Sequence, residues 1–165
     1  MVREVTVARQ VPGWAEANDI DDDGTIIGAA DDAALGRISF VQRPHEPARA
    51  LRGPAGTTNV NAVGIRSGWI AGWENQTSRS VAVRWQPRTG APAQITDGNS
   101  GVYSVNSRGS VGMQDAIAHR HGRIVQLPGL WDSGARGAKV LSDRGTAAGF
   151  SYDGAQVRAA VWTGC

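Results

Sequence analysis

The chain has 165 residues, 17 Lys and Arg against 15 Asp and Glu for a formal net charge of +2, and 22 glycines. That length suffices for one domain with a real core. The arginines are scattered, with Lys139 the single lysine, whereas a nucleic-acid binder gathers its basic residues into a stripe, so no nucleic-acid partner is expected. No stretch approaches the roughly 18 apolar residues of a membrane span, and Met1-Val-Arg-Glu-Val-Thr-Val carries no apolar signal core, so the expectation is a cytoplasmic protein with no membrane partner.

Glycine stands at nearly twice its usual share of about 7%, spread between short apolar runs. No window of about 11 residues carries a 3.6-residue apolar period, whereas Val81-Ala-Val-Arg-Trp85 alternates with period two. The fold class expected is all-β. Cys165 is the only cysteine, so there is no internal disulfide to suggest an oxidising compartment.

In chain order, residues 3–14 read as a strand and its exit, with Val11-Pro-Gly-Trp14 echoing Leu127-Pro-Gly-Leu-Trp131. Next comes "DIDDDGTIIG" at 19–28, which spells the first half of a calcium loop: Asp19, Asp21, Asp23, then a glycine. A calcium loop needs a bidentate Glu at its twelfth residue and helices on both flanks. Here the twelfth residue is Ala30, and the following residues are β-branched. The stretch also has counterparts in "GIRSGWIAG" (64–72), "VNSRGSVG" (105–112) and "LSDRGTAAG" (141–149). Their first glycines, Gly24, Gly68, Gly109 and Gly145, are 44, 41 and 36 residues apart, a repeat of about 40 residues, the length of a four-stranded propeller blade. The acidic run therefore reads as the hairpin between a repeat's first two strands.

Third strands follow at 36–42, 80–85, 116–121 and 156–162, with turns at 43–46, 87–90 and 122–123 and short fourth strands at 47–51, 92–96 and 124–127. The last repeat stops before its fourth strand. Residues 5–9 can supply it by pairing beside 156–162, which removes an exposed edge. The whole chain, 1–165, is thus expected to be one four-bladed β-propeller domain. Its repeats lie at 15–52, 59–96, 101–127 and 137–162, the last completed by 3–10. The chain would act as a monomer, or as a homodimer if two chains build an eight-bladed ring.

Val105-Asn106-Ser-Arg-Gly109 with its following glycine, and the Ala-Ala-Val-Trp162 piece, resemble the HAF repeat family of bacteria, whose repeats carry an Ile-Asn pair, two spaced glycines and a later Ala with a Trp. Gly64-Ile65 departs from that pair. The resemblance implies a propeller-like β fold and brings no catalytic residues with it.

The loops leading into first strands and those joining second to third strands would crowd one face. They are expected around Trp14 and at 57–61, 98–103 and 131–139, and at 29–36, 73–78, 113–115 and 150–155. Trp14, Trp73, Met113, Trp131, Phe150 and Tyr152 are the candidate ligand-binding residues on that face, and Glu74, Asp115, Tyr103 and Lys139 the candidate catalytic ones. Trp85 and Trp162 share a third-strand position and read as packing residues. Glu74 and Asp115 can equally be loop charges, and Lys139 a paired surface residue. His119 and His121 alternate in one strand, without a third ligand for a metal.

There is no nucleophile–base–acid set, phosphate loop, CxxC pair or nucleotide fingerprint, so no cofactor or metal is expected. An aromatic pocket of this kind can hold a small organic ligand, or act as a cofactor-independent cyclase or isomerase on an apolar natural-product-like substrate. The alternative is a carbohydrate-binding, lectin-like or protein-interaction propeller. A lectin would repeat one site in every blade, whereas Ala29, Trp73, Met113 and Phe150 occupy one aligned position.

Overall fold

The computed structural model describes residues 10–54, 56–96 and 100–165, with the backbone alone described at 10–13. These residues form strands and no helix. The first sheet runs β1 (Gln10–Ile20), β2 (Ile26–Asp32), β3 (Gly36–Gln42), β4 (Arg49–Ala50); the second β5 (Val60–Arg66), β6 (Trp69–Gln76), β7 (Arg79–Trp85), β8 (Pro92–Gln94). The third runs β9 (Val102–Val105), β10 (Val111–Met113), β11 (Ala116–Ala118), β12 (Ile124–Gln126), and the fourth β13 (Arg136–Leu141), β14 (Thr146–Tyr152), β15 (Val157–Thr163). Within each sheet, neighbours are antiparallel and follow chain order.

The two glycines of each repeat serve different physical needs. The first, Gly24, Gly68, Gly109 or Gly145, sits in the hairpin between first and second strands at φ of +81°, +78°, +76° and +81°, where a Cβ is disfavoured. The second, Gly28, Gly72, Gly112 or Gly149, lies in the second strand, opposite a break in register of the first. There the first strand carries one unpaired residue, a β-bulge. At Gly28, Gly72 and Gly149 the bulged backbone comes so close that a Cβ would overlap the carbonyl oxygen of Glu16, Asn61 or Gly137. A glycine pair spaced by two or three residues thus encodes a hairpin followed by a bulge.

Each sheet packs one face against the first strand of the next, in the order β1, β5, β9, β13. Between the first and second sheets lie Ile27, Leu51, Val60, Ile65, Val83 and Trp85. Between the second and third lie Trp69, Ala71, Val102, Val111 and Met113, and between the third and fourth Ile117, Leu127, Ala138, Ala147 and Trp162. Trp85 and Trp162 are equivalent in register, each opposite the residue two before the second glycine. Each also donates its indole N–H to the segment that follows the preceding sheet: Trp85 to the Arg52 carbonyl at 2.7 Å, Trp162 to that of Pro128 at 2.8 Å.

Among the described residues no comparable packing joins β13 back to β1. The outward side of the last sheet keeps Val140, Val157 and Val161 at 59%, 65% and 67% exposure.

Three expectations change. Residues 10–14 belong to β1, with Gln10 paired opposite Asp32 of β2, so the first repeat begins at Gln10 rather than 15. The ladder slips between Gln10 and Ala15, where Pro12 has no N–H to donate. Residues 5–9, the strand expected beside β15, lie outside the described residues. Finally, Ala29, Trp73, Phe150 and Tyr152 are in strands instead of loops, because β2, β6 and β14 pair with their third strands to the very end: Asp32 with Gly36, Gln76 with Arg79, Tyr152 with Val157. Met113, Tyr103 and Lys139 likewise lie in strands, β10, β9 and β13.

The turn from β14 to β15 is held by Asp153, whose Oδ1 accepts from the Ala155 and Gln156 amides (3.0 and 2.9 Å) and whose Oδ2 accepts from Arg158 Nε at 2.7 Å. The Arg158 hydrogen bond, then the two amides, bring its carboxyl down to about 2. Because the folded value lies below the unfolded one of about 3.9, the turn's contribution is complete above about pH 4 and fades as pH falls through about 2. A carboxyl ¹³C titration should give a midpoint near 2 for Asp153; a midpoint near 4 would mean that the turn is not held this way.

Candidate functional site

Four bulges stand at matching places in the four first strands, and a bulge re-aims the residue it leaves unpaired. Those residues are Asn18 in β1, Val63 in β5, Tyr103 in β9 and Lys139 in β13. Neighbouring bulges are linked. Asn18 Nδ2 donates to the Ala62 carbonyl at 2.9 Å, and the Ser104 hydroxyl to the Ala138 carbonyl at 3.2 Å. Together the four first strands surround a cavity of about 170 Å³, lined by Asp19, Val63, Arg66, Tyr103, Lys139 and Leu141 among others.

Its charges are unequal in their engagement. Asp19 Oδ2 accepts from Arg66 Nη1 and the Ile65 amide, both at 2.9 Å, so that pair is internally balanced. Lys139 has no carboxylate partner among the described residues. Its ammonium instead lies 3.6 Å from the centre of the Tyr103 ring and 5.6 Å from that of Phe150, a cation–π arrangement. Tyr103 and Phe150 meet edge to face at 6.1 Å, across Gly137, where a side chain would collide with both rings. Among the described residues, the cavity therefore offers one ammonium without a carboxylate partner, set over the Tyr103 ring.

No family model, curated protein or solved structure matches this chain.

Of the ten residues singled out in the sequence, Tyr103, Lys139 and Phe150 come together here. The others are elsewhere. Glu74 is fully buried, its Oε1 accepting from the Thr57 hydroxyl at 2.6 Å and its side chain filling the space left by Gly53. Asp115 lies in the turn between β10 and β11, at φ +62°, with its carboxylate 3.7 Å from Arg136 Nε. Met113 is buried in the core between the second and third sheets, with Trp73 packed against it. Trp14 is exposed under the guanidinium of Arg37, 3.9 Å from its ring centre. Trp131 and Tyr152 gather at Gly154, the indole packing on the glycine and the phenol donating to its carbonyl at 2.8 Å.

The three alternating aspartates are hairpin and staple residues. Asp21 Oδ1 accepts from the Ser67 amide of the next sheet at 2.8 Å, and Asp23 Oδ1 from the Thr25 amide at 2.8 Å. The Thr25 hydroxyl and amide hold the Asp23 carboxyl below its ordinary value. His119 and His121 part company because β11 ends at Ala118: His119 faces the groove between the third and fourth sheets, His121 the one between the second and third. Asn18, Val63 and Arg66 were missed in the sequence, and Asp19 was noted only as one of the alternating aspartates. Their signal was the second glycine of each repeat, which marks the bulge across from it.

No helix of the described residues is long and apolar enough to cross a membrane.

Proposed function

We propose that the four sheets are the blades of a four-bladed propeller of the HAF repeat kind, completed by residues 5–9 beside β15, and that its axial cavity binds a small organic carboxylate. The observation that carries this reading is the convergence on one cavity of three bulge residues, Val63, Tyr103 and Lys139, with Asp19 beside the fourth bulge, where among the described residues Lys139 has no carboxylate partner. The ligand's carboxylate meets that ammonium, and its apolar part lies against Tyr103, Val63 and Leu141. The lining differs in every repeat, which favours one unique site over a repeated, lectin-like one. The proposal is for binding. Cyclase or isomerase chemistry would need Glu74 or Asp115 to share the cavity with Lys139 and Tyr103, and neither lines it.

An eight-bladed ring of two chains is the competing arrangement, favoured by the exposed Val140, Val157 and Val161; mass in solution separates the two.

Benzoate is a suitable probe, being a carboxylate on a small apolar ring. Titrated into the protein, it should shift the amide resonances of 103–105 and 138–141 saturably. Lys139→Met should weaken the binding about tenfold, the loss of one charge-assisted contact. Unperturbed resonances, or equal binding by Lys139→Met, would overturn the reading.

A further inference from the structure

The groove between the second and third sheets holds a second concentration of charge, remote from the axis. Trp69 opens β6, and Arg84 stands on the same face of the adjoining strand, since Arg84 pairs with Ala71. The Arg84 guanidinium lies 5.3 Å from the Trp69 ring centre. Arg120 approaches the same indole at 5.2 Å, but from the third sheet, in the turn that follows β11. Trp69 is itself only 8% exposed, its ring seated on Gly109, where a Cβ would come within 2.7 Å of it. Two cations from opposite walls thus converge on one fixed aromatic plane.

The two guanidiniums are differently employed. Arg84 is clamped to the third sheet, Nη1 donating to the Gly109 carbonyl at 2.7 Å and Nη2 to the Arg120 carbonyl at 2.8 Å. Among the described residues, the Arg120 guanidinium makes no hydrogen bond, and neither arginine has a carboxylate within salt-bridge distance. Burial, and then the neighbouring charge of Arg120, push the Arg84 guanidinium below its ordinary value. Its charge is therefore held against both desolvation and like-charge repulsion, and an anion between the walls relieves both. The space exists: a cavity of about 420 Å³ is lined by Trp69, Arg84, Gln86, Arg120 and His121. Every polar side chain of that lining can donate a hydrogen bond, and none is acidic.

We propose that this groove is an oxyanion subsite, with the fork of Arg120 and the side chains of Gln86 and His121 receiving the phosphate or sulfate group of a small molecule beside Arg84. Guanidinium is the side chain suited to a multi-oxygen anion, because its fixed N–H fork meets two oxygens at once. Arg84 sets the position and is part of the fold. Arg120 is the adaptable arm, with its donors free to turn to the ligand.

The test uses the full chain and inorganic phosphate as the probe, followed by the Trp69 indole N–H resonance and by calorimetry. Phosphate should move the Trp69 signal saturably and leave that of Trp131 in place, with binding that weakens as chloride is added. Arg120→Gln should reduce the affinity about tenfold or more while the melting temperature stays unchanged, and Lys139→Met should bind phosphate like the parent. Phenyl phosphate against phenyl sulfate then distinguishes the two ester sources. A Trp69 signal that does not respond, or an Arg120→Gln variant that binds phosphate as tightly as the parent, overturns the proposal.

Discussion

Gly72→Ala is expected to lower stability by about 3 kcal/mol, the upper part of the ordinary range for forcing atoms into a filled space, and so to reduce Tm by roughly 6–12 °C for a chain of this length. The added Cβ would overlap the Asn61 carbonyl oxygen and press on the Asn61 carbonyl carbon and Ala62 Cα at 2.8 and 3.0 Å. All three are backbone atoms, and none can step aside without undoing the bulge at Val63. Gly36→Ala is the instructive comparison. Gly36 has φ of +72°, with nothing within 4 Å of a Cβ, so alanine there meets only backbone strain of about 1 kcal/mol. Urea midpoints of the two variants measure the difference. Equal losses would mean that the second strands' glycines are chosen for backbone angle and not for the closeness of the bulge.

Trp85→Ala should be at least as damaging, at about 4 kcal/mol, the central cost of truncating a buried aromatic. Trp85 has no exposed surface and packs with Ile27, Leu51, Val60 and Val83 from both sides of the first interface. Trp85→Phe separates the two parts of that loss. Phenylalanine keeps most of the apolar contact but strips the Arg52 carbonyl of its 2.7 Å donor, which costs about 1–3 kcal/mol when the group stays buried. Trp14→Ala, at an exposed indole that meets only Arg37, should change stability by about 0.5 kcal/mol or less. If Trp85→Phe proved as disruptive as Trp85→Ala, the hydrogen bond to the preceding sheet, and not the packing, would be what joins the first two sheets.

Much of the sheet pattern was legible, because glycine spacing and period-two alternation are local signals. The third strand expected at 36–42 is β3, that at 80–85 differs from β7 by a residue at one end and that at 156–162 from β15 by a residue at each end, while the one expected at 116–121 ends at 118 as β11. The first hairpins fall on the four aligned glycines. Strand length was harder to read: Trp73 and Phe150 looked like loop residues because aromatic side chains beside glycine resemble a loop boundary, while cross-strand pairing, which is not local, carries β6 and β14 further. The site was half legible for a related reason. Tyr103 and Lys139 attracted notice as chemistry, but that they occupy bulges depends on how the strands pair. Nothing in the segment around Trp69 tells that Arg120, 51 residues on, lies against it.

The stacking of sheets in a row, each touching chiefly the one before and the one after, has a consequence for how the protein comes apart. Stability in such a row is close to a sum of the sheets' own terms and the terms of their interfaces, as in a one-dimensional chain of coupled units. The last sheet adds its own strands but only one interface among the described residues, so its loss forfeits a single coupling. The second and third sheets each hold two. Among the described residues, loss of an end sheet therefore breaks one coupling, while damage between the second and third sheets, where Trp69 and Arg84 stand, weakens one of the two couplings that each inner sheet has.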